Sequence, residues 1–203
     1  MRSAFRLILA LAALGLLATV YMYSVATRDP VVRRASLAMP DWPKGAPPLR
    51  VALLSDVHVA GPDMPPNRIE RIVEQVNALD ADLVLIAGDF VSDKRLATRK
   101  YRAAEGLAPL ARLKARHDTY AVLGNHDHWR NPAEVRAALR LAKVRVLDNQ
   151  AATVGPLRLG GEDDDFTDNS DMNATVSSMR SGRGSRVLLS HSPDVAALAP
   201  PDV

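Results

Sequence analysis

The sequence predicts an α/β domain behind a membrane-crossing helix. Three observations carry this: one long uncharged run near the N-terminus, an alternation of strand-length apolar runs with helical periodicity after residue 48, and polar groups gathered at the ends of four of those runs.

The first element is LILALAALGLLATVYMYSVA, Leu7 to Ala26, preceded by Arg2 and Arg6. About 20 apolar residues cross a bilayer core of about 30 Å, and Tyr21 and Tyr23 fall where an aromatic belt sits. Residues 1–27 are therefore expected to be a single-pass anchor, with a cleaved signal segment ending at Ser24-Val25-Ala26 as the rival. Arg28, Arg33 and Arg34 compete with Arg2 and Arg6 in setting orientation, and the expectation is a domain on the extracytoplasmic side. MPDWPKGAPP follows, and residues 28–48 read as a Pro-rich extended linker. The third segment, 49–203, is the domain proper.

LRVALLSD (49–56) is a continuous apolar run of strand length, and PNRIERIVEQVNAL (66–79) places Ile69, Ile72, Val73, Val76 and Leu79 at helical spacing. DLVLIAGD (82–89) is a second buried strand. A helical stretch over residues 99–115 is weakened by Gly106 and Pro109, and TYAVLGNHD (119–127) is a third strand. NPAEVRAALRLA (131–142) opens a helix with Asn131 as N-cap, Pro132 at the first position and Glu134 at the third. VRVL (144–147), a pair around Ala152 to Leu159, and RVLLSHSPD (186–194) return to strand. Between the last two, GEDDDFTDNSD lacks the glycine spacing of an EF-hand and reads as a solvated loop.

Composition removes several chemistries. The chain has no cysteine, so disulfides, thiolate metal sites and cysteine nucleophiles are excluded. The net charge of +3 comes from residues 1–49, with six basic and two acidic residues; from Arg50 onward there are 20 basic and 21 acidic. No nucleic-acid footprint follows.

Four strands end in polar groups: Ser55-Asp56-Val57-His58, Gly88-Asp89, Gly124-Asn125-His126-Asp127 and Ser190-His191-Ser192. In sheets of this class, reactive groups collect beyond the carboxyl ends of the strands, so these loops should converge. The set is rich in O and N donors without sulfur, the pattern that two divalent cations about 3.5 to 4 Å apart require to acidify a water for phosphoester hydrolysis.

The ordered set D-x-H, GD, GNHD and a late strand-terminal histidine resembles the calcineurin-like metallophosphoesterase family, from Leu49 to Val203. LLSDVH, GNHDHW and LLSHSPD are most similar to its membrane-associated bacterial branch of phosphodiesterases and pyrophosphatases. The resemblance implies a four-layer αββα sandwich. It implies that Asp56 and His58 bind one metal, that Asp89 bridges two, and that Asn125 and His191 bind the second. His126 would donate a proton to the leaving group, Asp127 would orient His126, and Gly88 and Gly124 would make tight turns. His128 and Trp129 read as loop or rim residues. The cofactors implied are two divalent ions, manganese, iron or zinc, and the substrate a phosphodiester or pyrophosphate, lipid-linked or a nucleotide. The family also closes its site with a GHTH-like motif on a further strand. Residues 1–203 contain none, and Asp202-Val203 read as the opening of that strand, so the expectation is a sandwich incomplete at its C-terminus. The competing expectation is a chain that binds metal or a partner without turnover.

Overall fold

The computed structural model of the protein describes residues 2–203. The chain divides between Arg33 and Arg34 into two compact units. The first holds helix α1 (Arg2–Ala26), none of whose residues is buried, and which is long and apolar enough to cross a bilayer. Two of its hydroxyls bond back to the helix backbone, Thr19 donating to the Gly15 carbonyl and Ser24 to that of Tyr21, and Thr27 just beyond donates to the Tyr23 carbonyl. Apolar surroundings demand this of every polar group.

The second unit is built on a parallel sheet of β1 (Val51–Leu54), β2 (Leu83–Ala87), β3 (Thr119–Val122) and β4 (Val144–Val146), in that order. The crossovers carry α2 (Pro66–Asn77), a broken pair formed by α3 (Ala103–Gly106) and a 3-10 turn (Ala108–Arg112), and, after the six-residue α4 (Asn125–Arg130), helix α5 (Pro132–Leu141). Asn131 caps α5 as expected, its side chain accepting from Glu134 N. Ile69, Val73, Val76, Val135, Ala138 and Leu139 cover one face of the sheet, against Val84, Ile86 and Ala121.

The opposite face, Leu83, Leu85, Tyr120 and Val122, meets a second sheet of β5 (Gln150–Val154), β6 (Leu157–Gly161) and β7 (Ser185–Leu189) through Val154, Leu157, Leu159 and Leu189. Trp42 and Leu49 pack against this second cluster. β5 and β6 form an antiparallel hairpin, and β6 and β7 run parallel. Helix α6 (Met172–Arg180) lies on the far face, where Gly160 has no Cβ because Met179 Sδ would stand 2.3 Å from it. The layers are therefore helix, sheet, sheet, helix, the order expected.

The structure departs from the sequence reading at several points of the fold. β1 is not buried throughout: Val51 and Leu53 are 41% and 66% exposed, because β1 is an edge strand whose inner face the second sheet does not cover. Helix α6 was not expected; Asp171 caps it by accepting from Ala174 N, and it buries Thr175, Val176 and Met179. The acidic run is not a solvated loop, since Glu162, Asp163 and Asp164 are all buried. Asp202 lies in a turn rather than a strand, gripped by both Arg180 and Arg186.

Candidate metal centre

The four polar strand ends do converge. β1 delivers Asp56 and His58, β2 Gly88 and Asp89, β3 Gly124 and Asn125, and β7 His191, all beyond the carboxyl ends. The loops are stitched to each other by backbone bonds: Asp56 N donates to Gly88 O, His58 N to Asp89 O and Val59 N to Phe90 O. Asp56, His58 and Asp89 have φ values of 57°, 47° and 57°. Such left-handed residues cost of order 1–3 kcal/mol each and cluster where surrounding structure holds side chains to a task.

Asp89 is the hub. It is 2% exposed, and its Oδ2 lies 3.2 Å from His58 Nε2, 3.4 Å from His191 Nε2 and 3.9 Å from His126 Nε2. Its Oδ1 accepts from His126 N at 3.0 Å. Asp56 Oδ1 is 3.6 Å from His58 Nε2, and Asn125 Oδ1 is 3.1 Å from His191 Nε2. His191 Nδ1 faces the Ala87 carbonyl at 2.8 Å, so that nitrogen donates there and Nε2 is turned into the cluster. Two trios, Asp56-Asp89-His191 and His58-Asp89-His126, each bring donor atoms within 4.8 Å of one another and share Asp89.

Two glycines make this approach possible. Gly88 has φ +78°, and a Cβ there would meet Gly124 N at 2.7 Å. A Cβ on Gly124 would stand 2.3 Å from Asp89 Oδ1.

The electrostatics show a cluster arranged around positive charge. Burial works against ionisation of Asp89, yet hydrogen bonds from His191 and His58 hold its carboxyl well below the ordinary range. The same bond to Asp89 raises the His191 imidazole to about 9 and raises His58 as well, against burial in both cases.

Asp127 does not touch His126, contrary to the expected orienting role. The two are consecutive on α4, and neighbouring side chains on a helix point apart. Instead Asp127, fully buried, accepts from Phe90 N and Val91 N through Oδ1 and from Gly124 N through Oδ2, tying the β2 and β3 loops together. Burial pushes its carboxyl up to about 6, opposed by those three N–H groups. The carboxylate on His126 belongs to Asp93, whose Oδ1 is 2.7 Å from His126 Nδ1. His128 is no rim residue either: its side chain is 9% exposed and its Nε2 lies 2.7 Å from Asp163 Oδ1, with Arg136 on the other oxygen of Asp163 at 3.0 Å. Trp129 does sit at the rim, half exposed, with its ring 4.8 Å from that of His126.

The family model for calcineurin-like phosphoesterases matches residues 49–195, a span that contains every residue of this cluster. The chain belongs to the calcineurin-like phosphoesterase family. Members are metal-dependent phosphoester hydrolases, and the Asp89 cluster supplies the ligand types that such chemistry uses. Relatives include a protein of Caenorhabditis elegans named as a metallophosphoesterase, 34% identical over 181 residues (84% of this chain, 36% of the relative). A transmembrane protein with metallophosphoesterase domain from Bos taurus is 29% identical over 142 residues (70% and 31%). The uncharacterized metallophosphoesterase YkoQ of Bacillus subtilis is 25% identical over 198 residues (94% and 70%). The chain spans about a third of the length of the first two.

Proposed function

We propose that this protein hydrolyses a phosphodiester or pyrophosphate at the Asp89 cluster, using two divalent cations. The observation that carries the reading is the convergence of three imidazole Nε2 atoms, within 3.2–3.9 Å, on one buried carboxylate oxygen. A sulfur-free set of imidazole, carboxylate and amide donors fits manganese, iron or zinc. Asp56 and His58 would hold one ion, Asn125 and His191 the other, and Asp89 both. When bound, such ions acidify water and neutralise charge developing on a phosphoryl oxygen.

The chain's own residues supply the remainder. Asp89 is fixed by the His126 backbone N–H, so its free oxygen keeps its aim. Asp93 accepts from His126 Nδ1, which orients the ring and leaves Nε2 to face the substrate. From there His126 donates a proton to the departing oxygen. Asp127 acts one step back, by holding the backbone on which Asp89, Asn125 and His126 sit.

The N-terminal helix supports a substrate carried in or at the membrane, lipid-linked or a nucleotide conjugate, and the proposal places the catalytic unit outside the cytoplasm. Protease accessibility of the domain before and after the cytoplasmic membrane is breached tests the side; cleavage only after that membrane is breached contradicts it. The test of the activity is hydrolysis of bis(4-nitrophenyl) phosphate by the protein with and without added manganese. Metal-stimulated release of nitrophenol that falls at least about 100-fold in His126→Ala is expected; no metal stimulation overturns the reading.

A further inference from the structure

Four rings run outward from the cluster in a ladder. His58 and His126 have centroids 4.6 Å apart with planes at 88°, His126 and Trp129 are 4.8 Å apart at 68°, and Trp129 and Phe166 are 5.8 Å apart at 78°. The inner two are histidines of the site; the outer two are 51% and 72% exposed. Outside α1, Trp129 and Phe166 are the two exposed aromatic side chains among the described residues.

Neither ring is loose. Trp129 lies on α4 and Phe166 on the loop after β6, and these are clipped together by the buried His128 to Asp163 pair, with Arg136 bracing Asp163. Within the loop, Asp164 accepts from Thr167 N and Thr167 Oγ1 through Oδ2, and its carbonyl accepts from Asn169 N. Large apolar rings exposed to water yet held in place are prepared for a partner, because the ordering cost of binding is already met.

Their position says which part of a substrate they meet. A proton donor must reach the leaving oxygen, so the leaving group lies beside His126 Nε2, and the next ring outward from His126 is Trp129. We propose that Trp129 and Phe166 form a subsite for a planar aromatic ring in the leaving group, a nucleobase or aryl moiety. This rests on the reading of His126 as the proton donor. The ladder extends naturally by one more ring, since its spacings fall in the 4.5–7 Å range that aromatic pairs prefer. An alkyl chain needs no such geometry, and aliphatic residues would hold it as well.

The test is binding, independent of turnover. In Trp42→Phe, where Trp129 is the sole tryptophan, adenosine 5′-monophosphate should quench fluorescence with manganese present and ribose 5-phosphate should not. By calorimetry the wild type should bind the adenine compound about tenfold more tightly than ribose 5-phosphate, the low end of base-on-aromatic stacking. That advantage should shrink to under about twofold in Trp129→Ala and persist in Trp129→Phe, which separates stacking from misfolding. Equal affinity for the two phosphates in the wild type overturns the proposal. So does tighter binding of decyl phosphate than of adenosine 5′-monophosphate, which marks an acyl subsite. A protein that binds the adenine compound this way yet hydrolyses no phosphoester refutes the proposed function and leaves the subsite standing.

Discussion

Gly124→Ala is the smallest change that should disable the centre. The backbone at Gly124 is extended, φ −116° and ψ 176°, so alanine carries no conformational penalty there and the effect is one of space. The new Cβ would lie 2.3 Å from Asp89 Oδ1, 2.7 Å from Asp89 N and 2.9 Å from Asp89 Cγ, where ordinary contact begins at 3.4 Å. Rotating the carboxylate cannot relieve a clash that includes its own backbone nitrogen. Asp89 as a whole must move by about 1 Å, against the His58 N and His126 N bonds that fix it. Overpacking of this kind costs about 1–3 kcal/mol, which for a domain of this size lowers the melting temperature by about 2–12 °C. A displacement near 1 Å in the shared ligand should weaken manganese binding about 10- to 100-fold. Thermal unfolding of the metal-free protein and calorimetric titration with manganese measure the two effects separately. A variant that melts within 1 °C of the wild type and binds manganese equally well refutes the reasoning.

Three further outcomes follow from the same geometry. The folded state holds the Asp127 proton to about pH 6 against an unperturbed 3.8, so this group's contribution to stability is full below about pH 4 and is lost as pH rises through 6. The stability difference between wild type and Asp127→Asn should therefore shift by up to about 3 kcal/mol between pH 4 and 7, and parallel curves would contradict this. His128→Ala removes the buried partner of Asp163 and should lower unfolding stability by about 1–3 kcal/mol in urea titration; an unchanged midpoint would return His128 to the rim. Because the metal-free cluster carries its charge as imidazolium, with His191 raised to about 9, manganese uptake at pH 7 should release about one proton or more, read from binding enthalpies in buffers of different ionisation heat. Identical enthalpies in all buffers would contradict it.

The fold was legible wherever one period dominated. Residues 83–87 and 120–123 are apolar without interruption and form the body of the buried central strands, and Asn131-Pro132 announced α5 by its cap. Burial on an edge depends on what lies across the sheet, which the sequence of 49–56 cannot express, so the exposure of Leu53 was not foreseen. Glu162 to Asp164 read as solvated because carboxylates usually are; only tertiary partners such as His128, Arg136 and Ser170 bring them inside. α6 has a short apolar face, and its one clear mark was the cap at Asp171.

In the candidate site, the strand-end residues Asp56, His58, Asp89, Asn125 and His191 were singled out because each follows an apolar run, and the fold brings them together. The carboxylate beside His126 is Asp93 and not Asp127, because Asp127 is adjacent to His126 in sequence while Asp93 is adjacent in space. The signal for Asp93 was present in GDFVSD, four residues beyond Asp89 on the same strand-end loop. His128 was overlooked for the converse reason: its partner Asp163 lies 35 residues away, across the two sheets.

The proposed centre depends above all on Asp89 as the shared ligand. Manganese titration of the wild type and of Asp89→Ala, followed by calorimetry on protein first stripped of metal, measures this. Two ions bound by the wild type and neither retained at comparable affinity by the variant is the predicted result; equal stoichiometry and affinity in both would contradict it.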